Sequence, residues 1–188
     1  LRLVEDCGKY AAKVYGVVSK SKCNSPKKWL PPPDFVKINC DACLKTNGWI
    51  GLGVAARNTA REVLFARVRR VRSYWPPDIA ECRALLFGVK LARRFGYKKV
   101  IFESDCQHVS TRLSKAATYF TDIDLVLDDI FYLCSSFDFV TWSHVKRDGN
   151  FVARHLASLV LFGVEQVWEN SCPSVISPYI LMDNLYID

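Results

Sequence analysis

From Phe35 to Tyr74 the chain reads as three β-strands in direct succession, and no other feature restricts its fold as much. FVKINCDA alternates in character up to Asp41. WIGLGVAARN follows a Lys45-Thr46-Asn47-Gly48 turn, and REVLFARVRRVRSY is a longer third run beyond a tight turn near Asn58. Alternation of period two marks a strand with two different faces. Turns this short join antiparallel neighbours, so the three strands make a meander. Trp75-Pro76-Pro77 ends the sheet segment, because proline cannot donate to a ladder.

The residues that follow change period. Between Asp78 and Phe95, the residues Ile79, Cys82, Leu86, Val89, Ala92 and Phe95 form one apolar helical face, and Gly96 stops the helix. KKVIFESD is a fourth strand, and since a helix leads into it, it is expected parallel to the first. Short helices over 106–114 and 121–134 come next, then a fifth strand, FDFVTWSHV. A last helix runs from an Asn150 cap to about Phe162. The expected fold class is α/β, in the order β-β-β-α-β-α-α-β-α. It is a five-stranded mixed sheet, three antiparallel strands then parallel strands, flanked by helices. The domain is assigned to 34–164. Residues 1–33 read as a basic, Pro-containing N-terminal extension with an apolar stripe at Val4, Cys7, Ala11, Val14 and Val18, and 165–188 as an irregular C-terminal tail with Pro173 and Pro178.

Charge points to a partner. The net charge is +7, with six arginines and one Glu between Arg57 and Arg72 and six basic residues between Arg83 and Lys99. Residues 119–138 hold five acids and no Lys or Arg. Such asymmetry presents a basic face to a polyanion. Half of the residues are hydrophobic, which excludes a disordered chain. The eight cysteines are scattered, and Cys40 and Cys43 have CxxC spacing without a second pair, so zinc is not expected. A reducing intracellular compartment, nucleus or cytoplasm, fits this usage. No segment reads as a signal peptide, membrane span or lipidation motif, so no membrane partner is expected. The first residue is Leu, so a further segment or domain is expected upstream.

Three carboxylates fall where chemistry can occur. Asp41 is near the carboxyl end of the first strand and Asp105 closes the fourth, and parallel central strands put ligands at that end. Glu81 is in the first turn of the long helix. Each has an ordinary reading alone: a turn residue, a helix cap and a favourable first-turn acid. Together they raise one another's pKa unless a cation lies among them. Mg²⁺ takes oxygen ligands, and a pair of such ions can clamp the attacking water and the leaving oxygen of a phosphodiester.

Four segments, VKINCDA (36–42), AECRALLFGVKLA (80–92), ESDCQHV (103–109) and SHVKRDGNFVARHLA (143–157), resemble the ribonuclease H family in order and setting. The likeness is to the divergent domains found in plants alone or at the ends of retroelement-derived proteins. The resemblance implies hydrolysis of the RNA strand of an RNA–DNA hybrid with two Mg²⁺, or Mn²⁺ in their place. It implies Asp41, Glu81 and Asp105 as catalytic metal ligands and His144 as a mobile proton-handling histidine. Gln107 and Asn150 are implied beside the substrate. At the fourth carboxylate position, one helical turn after Asn150, this chain has Arg154. A cation there weakens divalent binding and can itself pair with Asp41 or Asp105. The connection 114–122 contains only Lys115, so grip is expected from Arg67, Arg69, Arg70 and Arg72 of strand three. Alternation places Arg67 and Arg69 on one face and Arg70 and Arg72 on the other. His108 and His155 read as surface residues. Three functions remain open: a hybrid-cutting endoribonuclease, a weak or inactive nucleic-acid-binding module disabled by Arg154, and a protein-interaction domain on the same fold.

Overall fold

The computed structural model describes residues 30–117, 119–159 and 163–185. The helical stripe expected near the amino terminus, between Val4 and Val18, lies outside them. The strands are β1 (Val36–Leu44), β2 (Trp49–Arg57), β3 (Val63–Arg72), β4 (Lys99–Ser104), β5 (Phe139–His144) and β6 (Glu165–Glu169). The helices are α1 (Pro77–Arg94), α2 (Gln107–Lys115), α3 (Asp122–Cys134), α4 (Phe151–Ser158) and α5 (Ser177–Leu185). The strands form one sheet in the order β5-β4-β1-β2-β3-β6. β1, β2 and β3 are the antiparallel meander, and β4 runs parallel to both β1 and β5.

The sheet has six strands rather than the expected five. Residues read as an irregular tail supply β6, which pairs antiparallel with β3 from Phe65↔Glu169 to Arg69↔Glu165. Its pattern is too short to announce a strand alone, and it is formed by a distant partner. β1 also runs on past Asp41 to Leu44. Its parallel ladder with β4 stops at Asn39, while the antiparallel pairing with β2 continues.

Alternation divides the two faces of the sheet. Ile38 and Cys40 of β1, Leu52 and Val54 of β2 and Phe65 of β3 join Leu85, Leu86 and Val89 of α1 and Ile130 of α3 in the larger core. The opposite face carries a smaller core of Ala55, Ala66 and Val68 against Val152 and Leu156 of α4, with Trp168, Ile176 and Tyr179 of the chain end packed on it. α2 and α3 are clasped by a buried ion pair of Arg112 with Asp124, and Asp124 also accepts from the Thr121 backbone N–H at 2.6 Å.

α4 lies directly on β2 because β2 presents Gly51 and Gly53 on that face. A Cβ at Gly51 would overlap the Ala157 carbonyl oxygen, and one at Gly53 the Ala153 carbonyl oxygen and Ala157 nitrogen. Neither neighbour is a movable side chain, so the strand or the helix must give way. Gly51→Ala and Gly53→Ala should each lower the unfolding free energy by about 1–3 kcal/mol, read from urea titrations.

Candidate metal centre

Asp41 stands in β1, opposite Gly53 and two residues beyond the parallel ladder. It is therefore a strand residue, not a turn residue, and it is 4 % exposed. Glu81 is the fifth residue of α1, because the helix already starts at Pro77, and the acid of the first turn is Asp78. Glu81 accepts a hydrogen bond through Oε1 from the Ala42 backbone N–H at 3.4 Å. Asp105 follows β4, and the N-cap position of α2 belongs to Cys106, so Asp105 is not a cap. The ordinary reading fails for all three acids.

The three carboxylates converge, each offering an oxygen within 4.8 Å of the others. Burial, then the Asp105 charge, pushes Asp41 up from an ordinary aspartate to about 8, against the opposing charge of Arg154. Burial, then the charges of Asp41 and Asp105, pushes Glu81 up to about 9. Glu81 Oε2 is buried without a hydrogen-bond partner. An all-carboxylate donor set with one orphaned buried oxygen suits a hard divalent cation, which relieves both the repulsion and the missing contact.

The carboxylates open into a cavity of about 470 Å³, also lined by Arg147, Arg154 and His155. Arg154 thus faces the site, as the helical spacing predicts. Among the described residues, however, the ion pair at the triad is made by Arg147, whose Nε lies 3.6 Å from Asp105 Oδ2. Arg154 acts on Asp41 through space. Arg147 went unnoticed in the sequence because it sits in a single 3-10 turn, Arg147–Gly149, with no periodicity to orient it.

Asn150 is fully buried and does not cap α4 with its side chain. Its Nδ2 donates to the Cys40 carbonyl at 2.9 Å and reaches Asp41 Oδ1 at 3.4 Å, and its Oδ1 accepts from Asn39 Nδ2 at 3.2 Å. Asn39 also donates to Glu103 Oε2 at 2.9 Å and accepts from Arg57 Nη2 at 2.9 Å, and Lys37 Nζ lies 3.5 Å from Glu103. The signal for this network was present as polar residues at 37, 39, 57 and 103 interrupting apolar strands.

The other expected residues separate. His144 is exposed at the end of β5 opposite Ser104, and Gln107 is exposed at the start of α2; neither lines the cavity. Arg67 is buried and paired with Glu165 of β6, its Nε 2.6 Å from Oε1, which ties β3 to β6. Arg70 lies over the Trp49 ring at 4.4 Å. Arg69 and Arg72 are exposed. His108 is exposed, with Nδ1 3.6 Å from Asp78 Oδ2. His155 is not a plain surface residue: its ring stacks on Tyr179 at 3.6 Å.

A family model described as reverse transcriptase-like matches residues 39–160. None of the curated proteins matches the chain. Among solved structures, RNase H1 of the halophilic archaeon Halobacterium salinarum aligns with TM-score 0.61 and 22 % identity, over 65 % of this chain and 94 % of that one. The N-terminal RNase H domain of a Mycobacterium tuberculosis protein gives TM-score 0.59 and 24 % identity, over 65 % and 90 %. LC11-RNase H1, isolated from compost and solved in complex with an RNA/DNA hybrid, gives 0.59 and 16 %, over 64 % and 92 %. At these identities the likeness is one of fold.

The raised carboxyls fix a pH dependence. A folded-state pKa above the unfolded value gives stability that is complete below about pH 4 and is lost as pH rises through the folded value. The melting-temperature contribution of these groups in metal-free protein should therefore fall between about pH 4 and pH 9. Asp41→Asn should flatten that fall and raise the melting temperature at the upper end by about 4–8 °C, the shift expected for roughly 2 kcal/mol. Differential scanning fluorimetry in a chelator checks both.

Proposed function

Since the chain belongs to the reverse transcriptase-like, ribonuclease H-type family, we propose that it is a divalent-metal-dependent endoribonuclease acting on the RNA strand of an RNA–DNA hybrid. One observation carries this reading: the convergence of Asp41, Glu81 and Asp105 within 4.8 Å, with a buried Glu81 oxygen left unpartnered. A domain kept only for binding or scaffolding has no use for such a costly group of acids.

Asp41, Glu81 and Asp105 would hold the cation, Mg²⁺ or Mn²⁺. When bound, it supplies Lewis-acid activation of water and neutralises charge building on the phosphate. The chain's own residues provide the setting. Asn150 holds β1 and α4 at fixed separation, and with them Asp41 and Arg154. Arg147 and Arg154 stand at the cavity wall, where guanidinium groups can grip phosphate oxygens next to the scissile bond. His144, at the exposed end of β5, is the group for proton movement or product release at the rim, and Gln107 is a polar contact for substrate next to Asp105. The buried free thiols Cys40, Cys82 and Cys134 support a reducing compartment, nuclear or cytoplasmic.

Arg154 favours a second reading. A cation in the wall of a carboxylate site opposes a divalent ion directly, and a domain weakened there would still bind hybrid. A labelled hybrid incubated with Mg²⁺ or Mn²⁺ separates the two. The enzyme reading expects cleavage that Asp41→Asn lowers by more than about a hundredfold. It also expects Arg154→Asp to lower the metal concentration for half-maximal rate by about tenfold. No cleavage by the parent, with hybrid still bound and cutting gained in Arg154→Asp, would establish the binding module.

A further inference from the structure

A second concavity, about 240 Å³, opens on the α1 face of the sheet between β3 and α1. Arg69 of β3 and Arg83 and Lys90 of α1 line it, beside Leu52, Val71 and Trp75, and no acid does. None of the three cations is ion-paired among the described residues. Arg83 rests over the Trp75 ring at 5.3 Å, and its Nε is buried with no acceptor. A buried donor on a charged group without an acceptor is costly, and three like charges around one hollow repel. An anion that offers several oxygens relieves both.

Its place in the fold says which anion. The registers Ala42↔Leu52 and Leu52↔Arg69 put Arg69 two strands across from the residue after Asp41, a step of about 10 Å. Along α1, Arg83 follows Glu81 by two residues, and Lys90 stands about 14 Å beyond Glu81 on the axis. A duplex carries one phosphate per strand every ~3.4 Å of its axis, so one whose strand enters at the carboxylates and continues past α1 brings more than one phosphate to the groove. An isolated anion would need only one point of capture, whereas the cations here are spread along α1 from Arg83 to Lys90 and across to Arg69 on β3.

We infer that the groove of Arg69, Arg83 and Lys90 is a second phosphodiester-backbone site, which holds the nucleic acid beyond the point of cleavage. The inference rests on the hybrid reading above and deepens it. It gives the chain a grip that the short connection between α2 and α3, which holds no Lys or Arg, does not supply.

The test is equilibrium binding of a labelled RNA–DNA hybrid of about 18 base pairs, long enough to span both sites, across a range of salt. In Arg69→Ala/Lys90→Ala the slope of log affinity against log salt should fall by about 2, with at least about tenfold weaker binding at low salt. Arg69→Lys/Lys90→Arg should keep the parent's slope. Both side chains are exposed, and a urea midpoint equal to the parent's shows that the alanine variant is folded. Hybrid binding by the parent with the same slope in the alanine variant would overturn the groove and leave the functional reading standing. Equal weakening in the Lys/Arg exchange variant would also overturn it, since charge would not be the cause. A parent that binds no hybrid would overturn both.

Discussion

The side-chain amide of Asn150 joins the two halves of the site, and most of the site's geometry depends on it. It donates into β1 at Cys40 and Asp41 and accepts from Asn39, while its backbone carbonyl accepts from Arg154 at 3.0 Å as α4 begins. One residue therefore sets the distance from the carboxylate strand to the helix that faces it. Beneath it, Asn39, Arg57, Glu103 and Lys37 form a buried charged network. Burying such groups is costly, and their mutual bonds offset most but not all of that cost, since Glu103 Oε1 is buried without a hydrogen-bond partner. Gly51 and Gly53 then let α4 settle on β2, and the chain end seals the outer side through Trp168, Ile176 and Tyr179.

On this frame the electrostatics of the cavity are a contest between three acids and two guanidinium groups. Burial and mutual repulsion hold Asp41 and Glu81 far above the usual carboxylate range. Arg147 is tied to Asp105, and Arg154 stabilises the Asp41 charge without touching it. The arginines offset part of the repulsion but leave Asp41 at about 8 and Glu81 at about 9. On the function proposed above, they stand at the cavity wall, where a phosphate would arrive.

Local pattern carried much of this fold. The meander, α1 and the parallel β4 were legible because period two and period 3.6 are written in consecutive residues. The three acids were legible because each lies close to the carboxyl end of a central strand or the start of the long helix, although none holds the cap, turn or first-turn position that the pattern alone suggests. What could not be read depends on partners distant in the chain. β6 exists because β3 has an open edge, and the pairing of Arg67 with Glu165 of that strand has no trace in the local pattern. The last helix begins after Asn150 as read but ends at Ser158, short of the expected Phe162, and the amide that reads locally as a cap is used instead on β1, more than 100 residues away. His155 looked exposed because its stacking partner, Tyr179, lies in a segment read as irregular.

The central claim is that Asp41, Glu81 and Asp105 form a divalent cation site although Arg154 faces them. A Mn²⁺ titration followed by electron paramagnetic resonance addresses it without reference to cleavage. The account predicts saturable loss of the free Mn²⁺ signal, abolished in Asp41→Asn and shifted to lower metal concentration in Arg154→Asp. A titration identical in the parent and in Asp41→Asn, or a parent that takes up no Mn²⁺, would contradict it.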